Sequence, residues 1–231
     1  MRILVLEHEA DAPAGLLGAW ANARGHELEV VGVRDLDAWP APDEFDAVVS
    51  LGSEVSVLDA SNGWIGPELD FLAAAHARSL PVLGICFGGQ MLSKALGGEV
   101  SRAPRTEVTW RQIDSSAPDL IPAGPWAFWH EDRFTLPPGA RLLAGRAGEV
   151  DAFSSGASVG LQFHPEADGA IVHGWVDGAR DKLTSYGVDD LAFEREIDRQ
   201  DPDARERAFD LFDRLAARWS AASLAEQPTL G

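Results

Sequence analysis

The chain has 231 residues, 45% hydrophobic and 24% charged, which is the make-up of a folded protein with length enough to bury a core and excludes a disordered, collagen-like or coiled-coil chain. Its 19 basic and 37 acidic residues leave a net charge of −18, a surface that repels phosphate backbones and anionic membranes and so argues against nucleic-acid or membrane partners. A single cysteine excludes an internal disulfide and fits a reducing, cytoplasmic compartment.

Residues 2–6 (RILVL) are a short branched run of the kind found in a buried parallel strand. Residues 16–24 read as a helix closed by Gly25, and residues 26–33 as a second strand. Trp39-Pro40-Ala41-Pro42 is a loop, and residues 47–51 form a third strand leading into Gly52-Ser53. Gly66-Pro67-Glu68 starts the next helix, with Pro67 at its first position and Glu68 as the acid of its first turn; Leu69, Leu72 and Ala73 mark its apolar face. Pro81 stops that helix, residues 82–85 are a fourth buried strand, and residues 88–96 a short helix closed by Gly97-Gly98. This alternation of strand and helix predicts a mostly parallel α/β sheet with crossover helices. Short strands at 108–113, 126–129 and 159–163 make the second half β-rich, packed on the sheet or extending it. From Ile171 onward the chain reads as helical. Asp201-Pro202 is expected to start the last helix as N-cap and first residue, with Phe209, Phe212, Ala216 and Trp219 as a core-facing stripe. Residues 177–218 mix acids and arginines, as solvated helix faces do. The expected organisation is one domain over 1–231, with its core in 1–170 and a helical extension over 171–225. No apolar run of about 18 residues predicts a membrane span, and the N-terminal apolar run is too short for a signal peptide.

The chemistry concentrates at Gly84-Ile85-Cys86-Phe87-Gly88-Gly89-Gln90. A buried strand runs through Gly-x-Cys-x-Gly straight into a helix, the pattern of a nucleophile elbow with cysteine in place of serine. The nucleophile sits on a sharp turn, where only small residues two places before and after it leave room. The following helix points its N-terminus at the sulfur and favours thiolate, and the Phe87 N–H is placed to donate to an oxyanion. A thiol nucleophile needs a base, and the base an orienting group. His164-Pro165-Glu166 supplies both: Pro165 favours an extended His164, and residues two apart on an extended segment face the same way.

These motifs, with Leu96-Gly97-Gly98, Leu51-Gly52-Ser53, Trp64-Ile65, Gln162-Phe163 before His164, and Trp129-His130-Glu131-Asp132, together resemble the class I (triad) glutamine amidotransferases. The resemblance covers about residues 2–166 and extends to stand-alone members similar to the amidotransferase half of GMP synthase. It implies a flavodoxin-like three-layer fold and hydrolysis of the glutamine side-chain amide, with Cys86 as nucleophile, His164 as base and Glu166 as its orienter. It also implies oxyanion donors at Gly52 and Phe87, a substrate contact at Gln90, and binding of the substrate's α-groups by Trp129, His130 and Glu131. The sequence departs from the family's habits at three places: Glu131 stands where glycine is common, Glu54 where proline is common, and Thr109 precedes Trp110 where glycine is common.

The expected substrate is a small molecule, glutamine or a γ-glutamyl compound, and a separate synthase subunit is the expected ammonia acceptor. A γ-glutamyl peptidase on the same triad and a non-catalytic regulatory homologue are the alternatives. Another α/β family with a cysteine elbow, an acid near the chain start and no His-Pro-Glu fits less well. His8, His26, His76 and His173 are scattered, with His8 read as part of a solvated loop, and no metal-binding spacing or phosphate-binding glycine loop is present. No metal or other cofactor is therefore expected.

Overall fold

The computed structural model describes residues 1–146 and 148–225; the last six residues of the expected 1–231 domain lie outside the described residues. A seven-stranded sheet runs in the order β2-β1-β3-β4-β9-β8-β7. Its strands are β1 (Arg2–Glu7), β2 (Glu27–Gly32), β3 (Ala47–Ser50), β4 (Val82–Ile85), β7 (Arg141–Arg146), β8 (Glu149–Ser155) and β9 (Ser158–Leu161). The pairs among β2, β1, β3, β4 and β9 are parallel, and β8 and β7 extend the sheet antiparallel. A separate antiparallel pair, β5 (Val100–Arg111) and β6 (Trp126–Phe134), carries a register shift between Arg102 and Glu107.

Side-chain alternation in the central strands creates the layers. Ile3 and Val5 of β1 join the core beneath α1 (Gly15–Arg24) and the later half of α5 (Asp190–Ala225), whereas Leu4 and Leu6 face α2 (Ile65–Ala77) and α3 (Phe87–Ala95). A third apolar cluster joins Val108, Trp110 and Ala127 of the small sheet to Val172, Val176 and Leu183 of α4 (Gly169–Ser185) and Phe193 and Ile197 of α5. Phe212 and Trp219 are buried in the core and Phe209 and Ala216 pack against it, as the expected stripe requires. This is the three-layer α/β fold with a β-rich second half that the sequence implies.

Several expectations are corrected. The last helix begins at Asp190 and passes through Pro202, so Asp201 is not its cap. The Asp201 carboxylate instead accepts from the Gly169 N–H at the start of α4, 2.6 Å away. A proline tolerated inside a helix removes one N–H from the ladder; here the apolar stripe beyond it is docked on the core. The second helix begins two residues early, at Ile65; Glu68 is the first-turn acid as expected, and it is fully buried. His8 is buried too, with its Nε2 2.9 Å from Glu68 Oε2. The strand at 159–163 stops at Leu161, and strands β7 and β8 were not anticipated. No described helix is long and apolar enough to cross a membrane, and no group of three or more potential metal ligands occurs among the described residues.

Candidate active site

The candidate nucleophile sits where β4 becomes α3. Cys86 has φ 52° and ψ −105°, a left-handed-side conformation that non-glycine residues adopt only where the surroundings enforce it. Those surroundings are packed backbone. A Cβ on Gly84 would strike Gly88 and Gly89, and one on Gly88 would strike Ser50, all well inside 3.0 Å. Gly88 N–H donates to the Leu51 carbonyl (3.0 Å), and Cys86 N–H to the Leu161 carbonyl (2.8 Å), which locks the elbow between β3 and β9. Phe87 is the first helical residue, so its N–H has no partner within the helix and faces the same end as the sulfur.

The sulfur lies 3.6 Å from the Trp129 carbonyl, and Gln162 Nε2 donates toward it from 3.8 Å. His164 Nδ1 pairs with Glu166 Oε1 at 2.7 Å, and both side chains are almost wholly buried. The imidazole is wedged between Gly52, where a Cβ would come within 3.1 Å of Cε1, and the edge of Trp175, at 4.9 Å between ring centroids. His164 and Glu166 meet across a turn and not along an extended strand. The His164 backbone is held by the Ala127 carbonyl (2.9 Å), and the Glu166 carbonyl accepts from Leu16 N–H at the start of α1 (2.7 Å). Burial, the largest single influence, pushes the imidazole's pKa down, but the charges of Glu166 and Cys86 and the hydrogen bond to Glu166 outweigh it and hold the pKa well above the usual histidine range. His164 Nε2 is buried with no partner among the described residues, leaving it free to exchange a proton with the sulfur or a substrate atom.

A cavity of about 190 Å³ opens above Cys86 and His164. Gly52 and Gln90 line it, but the Gln90 side chain is already pinned to the Asp132 carbonyl at 3.0 Å. Trp129 turns its carbonyl to the sulfur and its ring to Trp175 and Phe193. His130 borders the cavity with both ring nitrogens engaged, one with the Asp132 carbonyl (3.0 Å) and one with Glu107 (3.1 Å). Burial pushes the Glu107 carboxyl up, but hydrogen bonds from His130 and Arg111 prevail and bring it down to about 2. Glu131 is bound by Tyr186 Oη at 2.6 Å and Arg102 at 3.1 Å. Cys86, His164, Gly52, Gln90 and the Trp129–Glu131 segment therefore line one cavity, while Glu166 reaches it only through its pairing with His164 and Phe87 is not part of the lining.

Sequence reasoning missed part of that cavity. It also gave no role to Gln162, which lies outside the lining but donates toward the sulfur. Trp175, Lys182 and Tyr186, all from the helical extension, form one wall; Glu9, Asp11, Glu54 and Arg102, with the expected Asp132, complete its charged rim. Tyr186 is the only tyrosine of the chain. Burial and then its bond to Glu131 push its pKa up to about 12, so it stays a donor at neutral pH. Tyr186→Phe is expected to raise KM for the substrate about 3- to 10-fold with little change in kcat, read by steady-state kinetics, because it leaves Glu131 held by Arg102 alone and loosens the wall without touching the sulfur.

Comparison with known proteins bears on what this geometry does. The family model described as "Glutamine amidotransferase class-I" matches residues 24–171. One subunit of the glutamine-hydrolyzing GMP synthase of Sulfolobus acidocaldarius is 34% identical over 153 residues, which is 60% of this chain and 77% of that protein. A crystal structure of a glutamine amidotransferase from Thermotoga maritima superposes with a TM-score of 0.83 at 23% identity, covering 93% of this chain and 97% of that one. A glutamine amidotransferase structure from Methylobacillus flagellatus gives 0.85 at 22% identity, covering 94% of each chain. At those identities the two structures speak for the fold.

Proposed function

The chain belongs to the class I glutamine amidotransferase family, and on that premise we propose that it hydrolyses the side-chain amide of L-glutamine to glutamate and ammonia through a γ-glutamyl thioester on Cys86. The observation that carries the proposal is His164, bonded at 2.7 Å to the buried Glu166 and lining the same cavity as a cysteine on a strained elbow. An imidazole with a raised pKa beside a thiol at a helix N-terminus favours the thiolate–imidazolium pair. The thiolate attacks the amide carbon, and the negative oxygen that forms is received by the N–H groups of Gly52 and Phe87. His164 delivers its proton to the nitrogen, the C–N bond breaks and ammonia leaves. His164, now neutral, takes a proton from water as that water attacks the thioester; glutamate departs and the thiolate is restored. The acids of the rim suit the substrate's α-ammonium, and Arg102 and Lys182 suit its α-carboxylate.

In this reading the chain is a single amidotransferase domain whose helical extension walls the site, and the ammonia goes to a separate synthase subunit. The Sulfolobus relative, itself one subunit of a GMP synthase, supports that division of labour. A γ-glutamyl peptidase would share every step but the leaving group. Ammonia and glutamate release from L-glutamine by the purified chain, run beside a γ-glutamyl dipeptide, tests the proposal. Preferential turnover of glutamine is expected, and turnover of the dipeptide alone would replace the proposal with the peptidase.

The pH dependence gives a second test. Glutamine hydrolysis needs the proton on His164, so kcat/KM is expected to fall on the alkaline side only well above pH 6.5, the usual histidine value. Glu166→Gln removes the charge that holds that proton. It is expected to move the alkaline limb toward lower pH and to lower kcat by about 10²-fold, seen in the pH–rate profile. An alkaline limb that does not move would contradict the assigned partner.

A further inference from the structure

Beneath the elbow lies a polar chain that the reaction does not use. Ser50 Oγ donates to Glu68 Oε1 at 2.8 Å, and Glu68 Oε2 pairs with His8 Nε2 at 2.9 Å. All three residues are buried, Ser50 and Glu68 completely. They come from three different elements: the end of β3, the first turn of α2, and the residue just past β1. A carboxylate placed in a core disrupts folding unless it is paired and hydrogen-bonded, and hydrophobic packing alone would be served by an apolar residue on α2. The position of this chain points to what it does. Ser50 presses directly on Gly88, where no Cβ would fit, and the next residue, Leu51, accepts the Gly88 N–H. Gly52 follows immediately. On the other side the His8 ring lies edge-on to Phe87, 4.9 Å between centroids, and 5.2 Å from Trp64.

The two backbone amides assigned to the oxyanion thus belong to residues flanking one buried network. We infer that Ser50, Glu68 and His8 are positioning residues for the oxyanion hole: they fix the end of β3 against the start of α3, and so fix the distance between the Gly52 and Phe87 N–H groups. This rests on the glutaminase reading for its chemistry, although the geometric claim stands without it. The network acts on amides rather than on the thiolate, so its loss should separate acylation from thiol reactivity.

The test uses the full chain and the variants Ser50→Ala, Glu68→Ala and Glu68→Gln. For Ser50→Ala and Glu68→Ala, kcat on L-glutamine is expected to fall about 10- to 100-fold, somewhat less than deletion of an oxyanion donor produces. KM is expected to stay within about twofold, and so is the rate of Cys86 alkylation by iodoacetamide, which needs the thiolate and no oxyanion hole. Glu68→Gln, which can still accept from Ser50 and donate to His8, is expected to keep kcat within about threefold of the parent. Amide NMR provides a readout without turnover: the Gly52 and Phe87 resonances should move in Ser50→Ala. A folded Ser50→Ala with undiminished kcat would overturn the inference, as would kcat and alkylation falling together, or Glu68→Gln as damaged as Glu68→Ala. Should the parent chain release no ammonia from glutamine, the functional reading fails on its own. The NMR arm then decides the positioning claim, and unmoved Gly52 and Phe87 amides would refute it.

Discussion

Cys86→Ala is expected to lower glutamine hydrolysis by at least about 10⁴-fold while leaving the fold and its stability nearly unchanged. The side chain is buried and small, and its hydrogen bonds to the Trp129 carbonyl and from Gln162 are long, at 3.6 and 3.8 Å. Removing the sulfur therefore takes little packing away. What is lost is the proposed nucleophile, and neither a raised His164 pKa nor intact Gly52 and Phe87 amides would replace the covalent step. Ammonia release measured on matched amounts of folded parent and variant checks this, with a thermal melt to confirm that both are folded. Residual activity near the parent's would assign the reaction to another residue, and a pair of equally inactive proteins would favour the regulatory homologue.

Gly88→Ala is expected to be strongly destabilising, since of all the described glycines its Cβ would make the closest approach to a neighbouring atom. Its Cβ would meet the Ser50 carbonyl and hydroxyl, and the surrounding β3–α3 junction is backbone held by the Gly88–Leu51 hydrogen bond. A flexible side chain could swing away from such a clash, but a strand end cannot. A loss of about 3 kcal/mol or more follows, equivalent to a Tm lowered by roughly 6–12 °C for a chain of this length. Gly66→Ala is the matched control. That glycine lies in the first turn of α2 with open space where its Cβ would go, so alanine there is expected to be neutral or to stabilise by up to about 1 kcal/mol. Urea titration of the three proteins measures the difference. Equal midpoints would mean that the elbow is not the tight junction described.

The elbow was legible in the sequence because its constraints are local. A buried strand, three small residues and a helix start can be read within ten positions, and the structure places them as expected. His164 and Glu166 were legible for a weaker reason. Their pairing was expected from an extended segment, whereas the chain turns at Pro165, and the contact depends on α1 holding the Glu166 carbonyl. What could not be read is what tertiary packing alone decides. The wall formed by Trp175, Lys182 and Tyr186 exists because α4 lies over β6, and nothing in residues 177–218 distinguishes the face toward the cavity from the face toward water. Glu68 and His8 resemble, in sequence, an ordinary first-turn acid and a loop histidine. They are buried because each finds the other 60 positions away. Asp201 failed as a helix cap for a related reason: its carboxylate serves a neighbouring helix, and the residues after it are held in helix by the docked Phe212 and Trp219. Strands β7 and β8 were hidden by irregular pairing, with register shifts on both sides of Ala144.

Cys86 is proposed to carry the γ-glutamyl group during turnover. Acid quenching of the chain during turnover of L-glutamine, followed by peptide mass analysis, tests it most directly. A γ-glutamyl adduct is expected on the peptide containing Cys86, absent without substrate and absent in Cys86→Ala. Turnover with Cys86 unmodified, or an adduct on any other residue, would contradict it.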